Sequence, residues 1–195
     1  LAYLATTRQP HSRDTLAALL WPDYSQTNAR AALRRTISAL HRSLGKPLLQ
    51  SRQELLYLPD STGLQVDSWE FYRCLAECES HPHPASQACP KCLPWLSQAA
   101  CLHRGTFMAG FSLRDSAEFD DWQFFQSETF RRELGSVLER LVQGYADQGN
   151  FETAIEDAQR WLSLDALHEP AHRQLMQLYA LSGQRNAALR QYQEC

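Results

Sequence analysis

Apolar residues recur every three to four positions along most of the chain, and the breaks in that rhythm mark its elements. Leu1-Ala2-Tyr3-Leu4-Ala5 reads as the second half of an amphipathic helix. Ser12 is placed to cap a short helix from Arg13 to Leu20, with Leu16, Leu19 and Leu20 facing inward, and Trp21-Pro22 ends it. Ser25 opens a longer helix through Leu44, closed by Gly45 and followed by Pro47. Its apolar stripe is Ala29, Leu33, Ile37, Leu40 and Leu44, which at 100° per residue lie within about 80° of one another. Leu48-Leu49-Gln50 and Leu55-Leu56-Tyr57-Leu58 then flank the polar Ser51-Arg52-Gln53-Glu54, a β-hairpin pattern without an Asn-Gly turn.

Helix, turn, helix and hairpin, in that order, make a winged helix-turn-helix. From Val66 onward the periodicity is helical throughout. Asp67 can cap a helix through Cys78 with Trp69, Phe71, Tyr72 and Leu75 on its apolar side. Ser80 to Pro90 is a loop rich in Pro, His and Ser, and a helix follows from about Lys91 to His103. After an irregular stretch, Phe119, Trp122, Phe125, Phe130, Leu134, Leu138, Leu141 and Tyr145 trace one long helix from about Ser116 to Gln148. Leu141, Tyr145, Ala146, Gly149 and Ala154 then recur as Leu175, Tyr179, Ala180, Gly183 and Ala188. The offset of 34 is the period of tetratricopeptide helix hairpins. Tyr145 and Tyr179 are therefore expected at equivalent buried positions, with Gly149 and Gly183 in the turns. The expected fold is mostly α: a truncated winged helix-turn-helix (residues 1–62) followed by an all-α, tetratricopeptide-like helical-repeat domain (63–195). Arg190–Cys195 stops in mid-pattern, as Leu1 starts in one, so the chain reads as a piece of a longer protein.

Charge sharpens this picture. Residues 1–46 hold seven bases and two acids, whereas residues 47–195 hold twelve bases and twenty acids. The helix from Gln26 to Leu44 contains no acid, and Thr27, Asn28, Arg30, Arg34, Arg35, Ser38, His41 and Arg42 fill the arc opposite its apolar stripe. Such a face suits the DNA major groove, where Arg pairs bidentately with guanine or clamps a phosphate. Ser51 and Arg52 at the hairpin tip are candidates for contact beside it. The alternative is a tetratricopeptide-like protein–protein interaction scaffold that does not bind DNA, for which the acid-free face has no use.

Several segments resemble a known family. Leu1-Ala2-Tyr3-Leu4-Ala5, Ser12-Arg13-Asp14-Thr15-Leu16-Ala17, Leu20-Trp21-Pro22-Asp23, Asn28-Ala29-Arg30-Ala31-Ala32-Leu33-Arg34-Arg35 and Leu40-His41-Arg42-Ser43-Leu44-Gly45 resemble the antibiotic-regulatory-protein (SARP-type) transcription activators. Val66-Asp67-Ser68-Trp69-Glu70-Phe71, Arg104-Gly105-Thr106-Phe107-Met108-Ala109-Gly110-Phe111 and His168-Glu169-Pro170-Ala171-His172-Arg173 resemble their second domain, the bacterial transcriptional activator domain. The resemblance implies a recognition helix over 26–44 and promoter DNA as partner. It also implies a helical domain that contacts RNA polymerase or another protein and can mediate homodimerisation. In that family the winged helix opens with a small sheet and a complete first helix, which would precede Leu1.

Cys74, Cys78, His81, His83, Cys89 and Cys92 crowd into nineteen residues. Cys-x-x-Cys at a helix start has common zinc-ligand spacing, and Cys78 with His81 can complete a tetrahedron across a helical hairpin. The preferred set is Cys78, His81, Cys89 and Cys92, with Cys74 or His83 as substitutes, and a structural zinc there would pin the Pro-rich loop. The same residues could instead be plain packing. Cysteines bunched this way, with no secretory leader in view, favour a reducing cytoplasm. No apolar run approaches the ~18 residues of a membrane span, and no Gly-rich phosphate loop, Gly-x-Ser-x-Gly elbow or His-Glu-x-x-His points to an enzyme.

Overall fold

The computed structural model describes residues 1–59, 63–84 and 86–195. The chain packs into two compact units, Leu1–Val66 with Phe107–Gln126, and Asp67–Thr106 with Ser127–Cys195. The domain boundary expected at residue 62 lies outside the described residues.

In the first unit, α1 (Ala2–Thr7) buries Leu4 and Ala5. The expected helix α2 spans Arg13–Leu20, and the Ser12 hydroxyl accepts from the Thr15 amide at 2.9 Å, which satisfies one of its free N–H groups. Helix α3 spans Gln26–Ser43 with Ser25 as cap and Gly45 in the left-handed region at φ 67°. Its buried residues are Ala29, Ala32 and Leu33. Ile37 and Leu40 are only half-buried, and Leu44, placed at the C-cap beyond the last full turn, is 44% exposed. The apolar stripe thus works as core only along the first half of the helix.

The hairpin forms with a tighter turn than its polar stretch suggested. Strands β2 (Gln50–Arg52) and β3 (Leu55–Tyr57) pair antiparallel with Arg52 opposite Leu55, so Gln53 and Glu54 alone make the turn. Gln53 takes φ 57°, the conformation a two-residue hairpin needs and usually assigns to Gly or Asn. A third strand, unforeseen in the sequence, is β1 (His11–Ser12), giving the sheet order β1-β3-β2. Two residues carry no alternation to read. Leu48, Leu49, Leu56 and Leu58 bury the sheet's inner side.

Phe107–Gln126 belongs to this unit through an aromatic network. The Trp122 ring lies 4.9 Å from Tyr3, 5.7 Å from Phe107 and 5.1 Å from Phe119, centroid to centroid. The buried Ser116 hydroxyl donates to the Leu19 carbonyl.

The second unit is helical, with no strand among its described residues. Helices α4 (Asp67–Glu79) and α5 (Leu93–Leu102) pack together, and α6 (Ala117–Asp147), which starts in the first unit, supplies Leu134, Val137, Leu138 and Leu141 to the same core. Phe71, Cys74 and Cys78 form the buried face of α4, and Trp161 of α7 (Phe151–Leu164) joins them. Gly144 permits the close approach of α5 to α6: a Cβ there would meet Leu93 Cδ2 at 2.6 Å. A second cluster joins Val142 to Ala154, Ile155, Ala158, Leu175 and Leu178.

The repeat expected at an offset of 34 appears in the helix ends. The Gly149 amide bonds the Ala146 carbonyl at 2.9 Å and the Asn150 amide bonds Tyr145 at 2.9 Å. The Gly183 amide bonds Ala180 at 3.1 Å and the Gln184 amide bonds Tyr179 at 2.7 Å. Both are Schellman caps, with Gly149 at φ 74° and Gly183 at φ 78°. They end α6 and α8 (Glu169–Leu181), which are followed by α7 and α9 (Arg185–Glu194). Leu141 and Leu175 are both buried, and Tyr145 and Tyr179 share one environment, though half-buried where full burial was expected. The reason for Tyr179 is visible: its hydroxyl accepts from Gln159 Nε2 at 2.9 Å and stays near the surface. None of the described helices is long and apolar enough to cross a membrane.

Candidate nucleic-acid interface and metal centre

Helix α3 sorts its polar residues into two groups. Arg30 and His41 are engaged by the unit's own packing. Arg30 forms a two-pronged ion pair with Asp14 of α2, with Nη2 to Oδ2 at 2.6 Å. Hydrogen bonding from Arg30 holds the Asp14 carboxyl below its usual range. His41, half-buried, accepts the Leu49 amide on Nε2 at 3.3 Å and so ties the last turn of α3 to the start of the hairpin. An amide N–H only donates, so Nε2 is the acceptor in this contact. Both residues thus have a partner inside the unit, which the sequence pattern does not show.

Asn28, Arg34, Arg35, Ser38 and Arg42 are exposed. Their side chains have no partner among the described residues. At 100° per residue they cover an arc of about 120°, turned away from Ala29, Ala32 and Leu33. Asn28, Arg35 and Arg42 follow one another at seven-residue intervals along a single line. At the hairpin, Arg52 is exposed, and the Ser51 hydroxyl accepts from Arg13 Nη2 at 3.3 Å while donating to the Gln53 carbonyl at 3.2 Å. Arg13 is thus a cation at the hairpin that the sequence pattern does not single out. Its signal, an Arg directly after a capping Ser, points to helix start rather than to the hairpin's surroundings. Glu54 in the turn is the acid at this end of the unit.

The second cluster lies between α4 and α5. The metal-binding atoms of His81, His83, Cys89 and Cys92 all fall within 4.8 Å of one another. Cys92 Sγ is 3.0 Å from His81 Nδ1, 3.1 Å from His83 Nε2 and 3.5 Å from Cys89 Sγ, and Cys89 Sγ is 3.3 Å from His81 Nδ1. The sequence explains how the chain gets there. His81 follows the end of α4, with its amide on the Cys78 carbonyl at 3.2 Å, and Cys89–Cys92 closes one turn, amide to carbonyl at 2.8 Å, leading into α5. His83 Nδ1 lies 3.0 Å from the Pro84 carbonyl. A carbonyl only accepts, so this contact favours the tautomer with the proton on Nδ1 and the Nε2 lone pair toward the Cys92 sulfur. Two histidines and two cysteines in this arrangement can hold a metal ion.

The preferred set differs from this one by one member: His83 stands where Cys78 was expected. The Cys78 thiol is fully buried and points to the Cys92 carbonyl at 3.7 Å, and burial pushes it up to about 12. Cys74, also fully buried, packs one turn earlier in the α4 face. Both are core residues. Heptad-like spacing on α4 was the available signal for that, and it competed with ligand spacing in the sequence.

Among known proteins, the family described as bacterial transcriptional activator domain matches residues 66–195. No curated protein matches the chain.

Proposed function

Because the chain belongs to the bacterial transcriptional activator domain family through residues 66–195, we propose that it is a DNA-binding transcription regulator that reads promoter DNA with α3. The observation that carries this reading is the row of Asn28, Arg34, Arg35, Ser38 and Arg42, exposed and without side-chain partners among the described residues, on a helix without an acid. A helix of this kind fits the major groove, with the β2–β3 hairpin as the wing and Arg52 beside the phosphate backbone. Arg30 and His41 then position the helix rather than touch DNA. The helical unit contacts protein partners, RNA polymerase or a second copy. Leu181, Leu189 and Tyr192, exposed on its last two helices, suit that role. A pure scaffold would leave the α3 face without a purpose.

Zinc is the ion we assign to the His81, His83, Cys89 and Cys92 cluster. Thiolate and imidazole donors suit zinc and disfavour calcium and magnesium, which take oxygen. Zinc bonds of about 2.0–2.3 Å put tetrahedral ligand atoms about 3.3–3.8 Å apart, near the spacing already present. Two thiolates and two neutral imidazoles leave the centre uncharged, which suits partial burial.

The DNA reading is tested by measuring affinity for duplex DNA across a salt series. Phosphate contacts from Arg42 and Arg52 give a log–log slope of about −2, steeper by about 1 for each of Arg34 and Arg35 that meets a phosphate rather than a base. Binding that ignores salt, or none at low salt, rejects the reading.

A further inference from the structure

We propose that the zinc centre is a folding clip: held by His81 Nδ1, His83 Nε2, Cys89 Sγ and Cys92 Sγ, the ion closes the link between α4 and α5 and makes the activator-domain core conditional on zinc. This rests on the zinc assignment above.

Three observations carry the inference. The first is what the link lacks. Between Glu79 and Leu93 the described apolar contributions to the core are Ala88, Cys89 and Cys92, two of them ligands. Its side-chain hydrogen bonds to the flanking helices include Arg140 Nε, which donates to the Gln87 carbonyl at 3.3 Å, and the Cys78 thiol, which donates to the Cys92 carbonyl at 3.7 Å. A segment with so little buried apolar surface does not order itself against its chain entropy.

The second is the position of Cys92. It is at once a ligand, the N-cap of α5 and a 0% exposed member of the main core beside Phe71, Leu96 and Leu138. Its side chain makes no capping hydrogen bond to α5. Metal coordination at Cys92 therefore fixes the first turn of α5, and with it Leu93, which packs within reach of Gly144 on α6. Binding energy at the ion is delivered straight into the core.

The third is orientation. The Pro84 carbonyl sets the His83 tautomer, so one donor is pre-arranged by its own loop. Both cysteines bind as thiolates, any thiol proton passing to solvent, so that two Zn–S and two Zn–N bonds form with no change of oxidation state.

Lys91 gives the test its handle, because it is exposed and lies between the two cysteine ligands. Protein purified without added metal should contain about one zinc per chain by elemental analysis, and cobalt should replace it with the visible bands of a tetrahedral thiolate site. Chelation should lower the melting temperature by at least about 5 °C. It should also speed tryptic cleavage after Lys91 by at least about tenfold, as the link opens locally. Re-addition of zinc should reverse both. His83→Ala should mimic chelation, with Cys92→Ser as the harsher variant and Cys101→Ser, exposed and outside the cluster, behaving as wild type. Less than about a tenth of an equivalent of zinc together with no cobalt spectrum overturns the zinc assignment itself. One equivalent of zinc whose removal leaves melting and Lys91 cleavage unchanged overturns the clip while the assignment stands.

Discussion

Replacing Arg34 and Arg35 together with alanine is expected to weaken binding to the preferred duplex by at least about 30-fold, since each base contact is worth about 1–3 kcal/mol. Both residues are exposed, without a side-chain partner among the described residues, on the side of α3 opposite its buried stripe. Their removal leaves no buried group unsatisfied, so stability should stay within about 0.5 kcal/mol of wild type. That separation is what makes the variant informative. If an arginine meets phosphate rather than a base, the salt slope also becomes shallower by about 1 for each phosphate no longer neutralised. Titration of wild type and variant on the same duplex, at two or more salt concentrations, reads both effects. Arg30→Ala should behave differently: it breaks the pair with Asp14 and loosens α2 against α3, so affinity and melting temperature fall together.

Trp161→Ala is expected to destabilise the helical unit by about 3–5 kcal/mol. Trp161 is 4% exposed, faces Gly135 of α6, lies 5.0 Å from the His168 ring in a tilted contact, and shares a core with α4, α5 and α6. No neighbour can collapse into the space of an indole, so transfer and cavity costs add. A loss of that size is a large part of the roughly 5–15 kcal/mol that holds a typical domain folded. Urea unfolding followed by circular dichroism measures it. Tyr192→Ala, at a site 72% exposed, should fall within about 0.5 kcal/mol of wild type in the same experiment.

How much of this the sequence disclosed depended on whether the determinant was local. Helices α2 and α3 were legible to the residue at their starts, because Ser12 and Ser25 cap within three residues and the apolar period is unbroken. The 34-residue repeat was legible because Gly149 and Gly183 must occupy the same left-handed position. Pairings across the chain were not. The Arg30–Asp14 and His41–Leu49 contacts give two residues of the candidate face partners within the unit, and both depend on how α3 meets its neighbours. Strand β1 exists only by pairing with β3. The packing of Phe107–Gln126 with the first unit was hidden because the helical pattern runs through Gln126 into Ser127 without a break. In the metal cluster, ligand type was legible, but the choice of His83 over Cys78 turned on which side chain the α4 core retains.

The central claim, that α3 reads the major groove, is tested most directly by methylation interference on a duplex the protein selects from a random pool. Dimethyl sulfate marks guanine N7 on the major-groove edge and adenine N3 on the minor-groove edge in one experiment. The account predicts that methylation of one or more guanine N7 atoms in the selected site blocks binding, and that Arg34→Ala with Arg35→Ala abolishes the block at particular guanines. Interference confined to adenine N3, or a pool from which no duplex is selected, would contradict it.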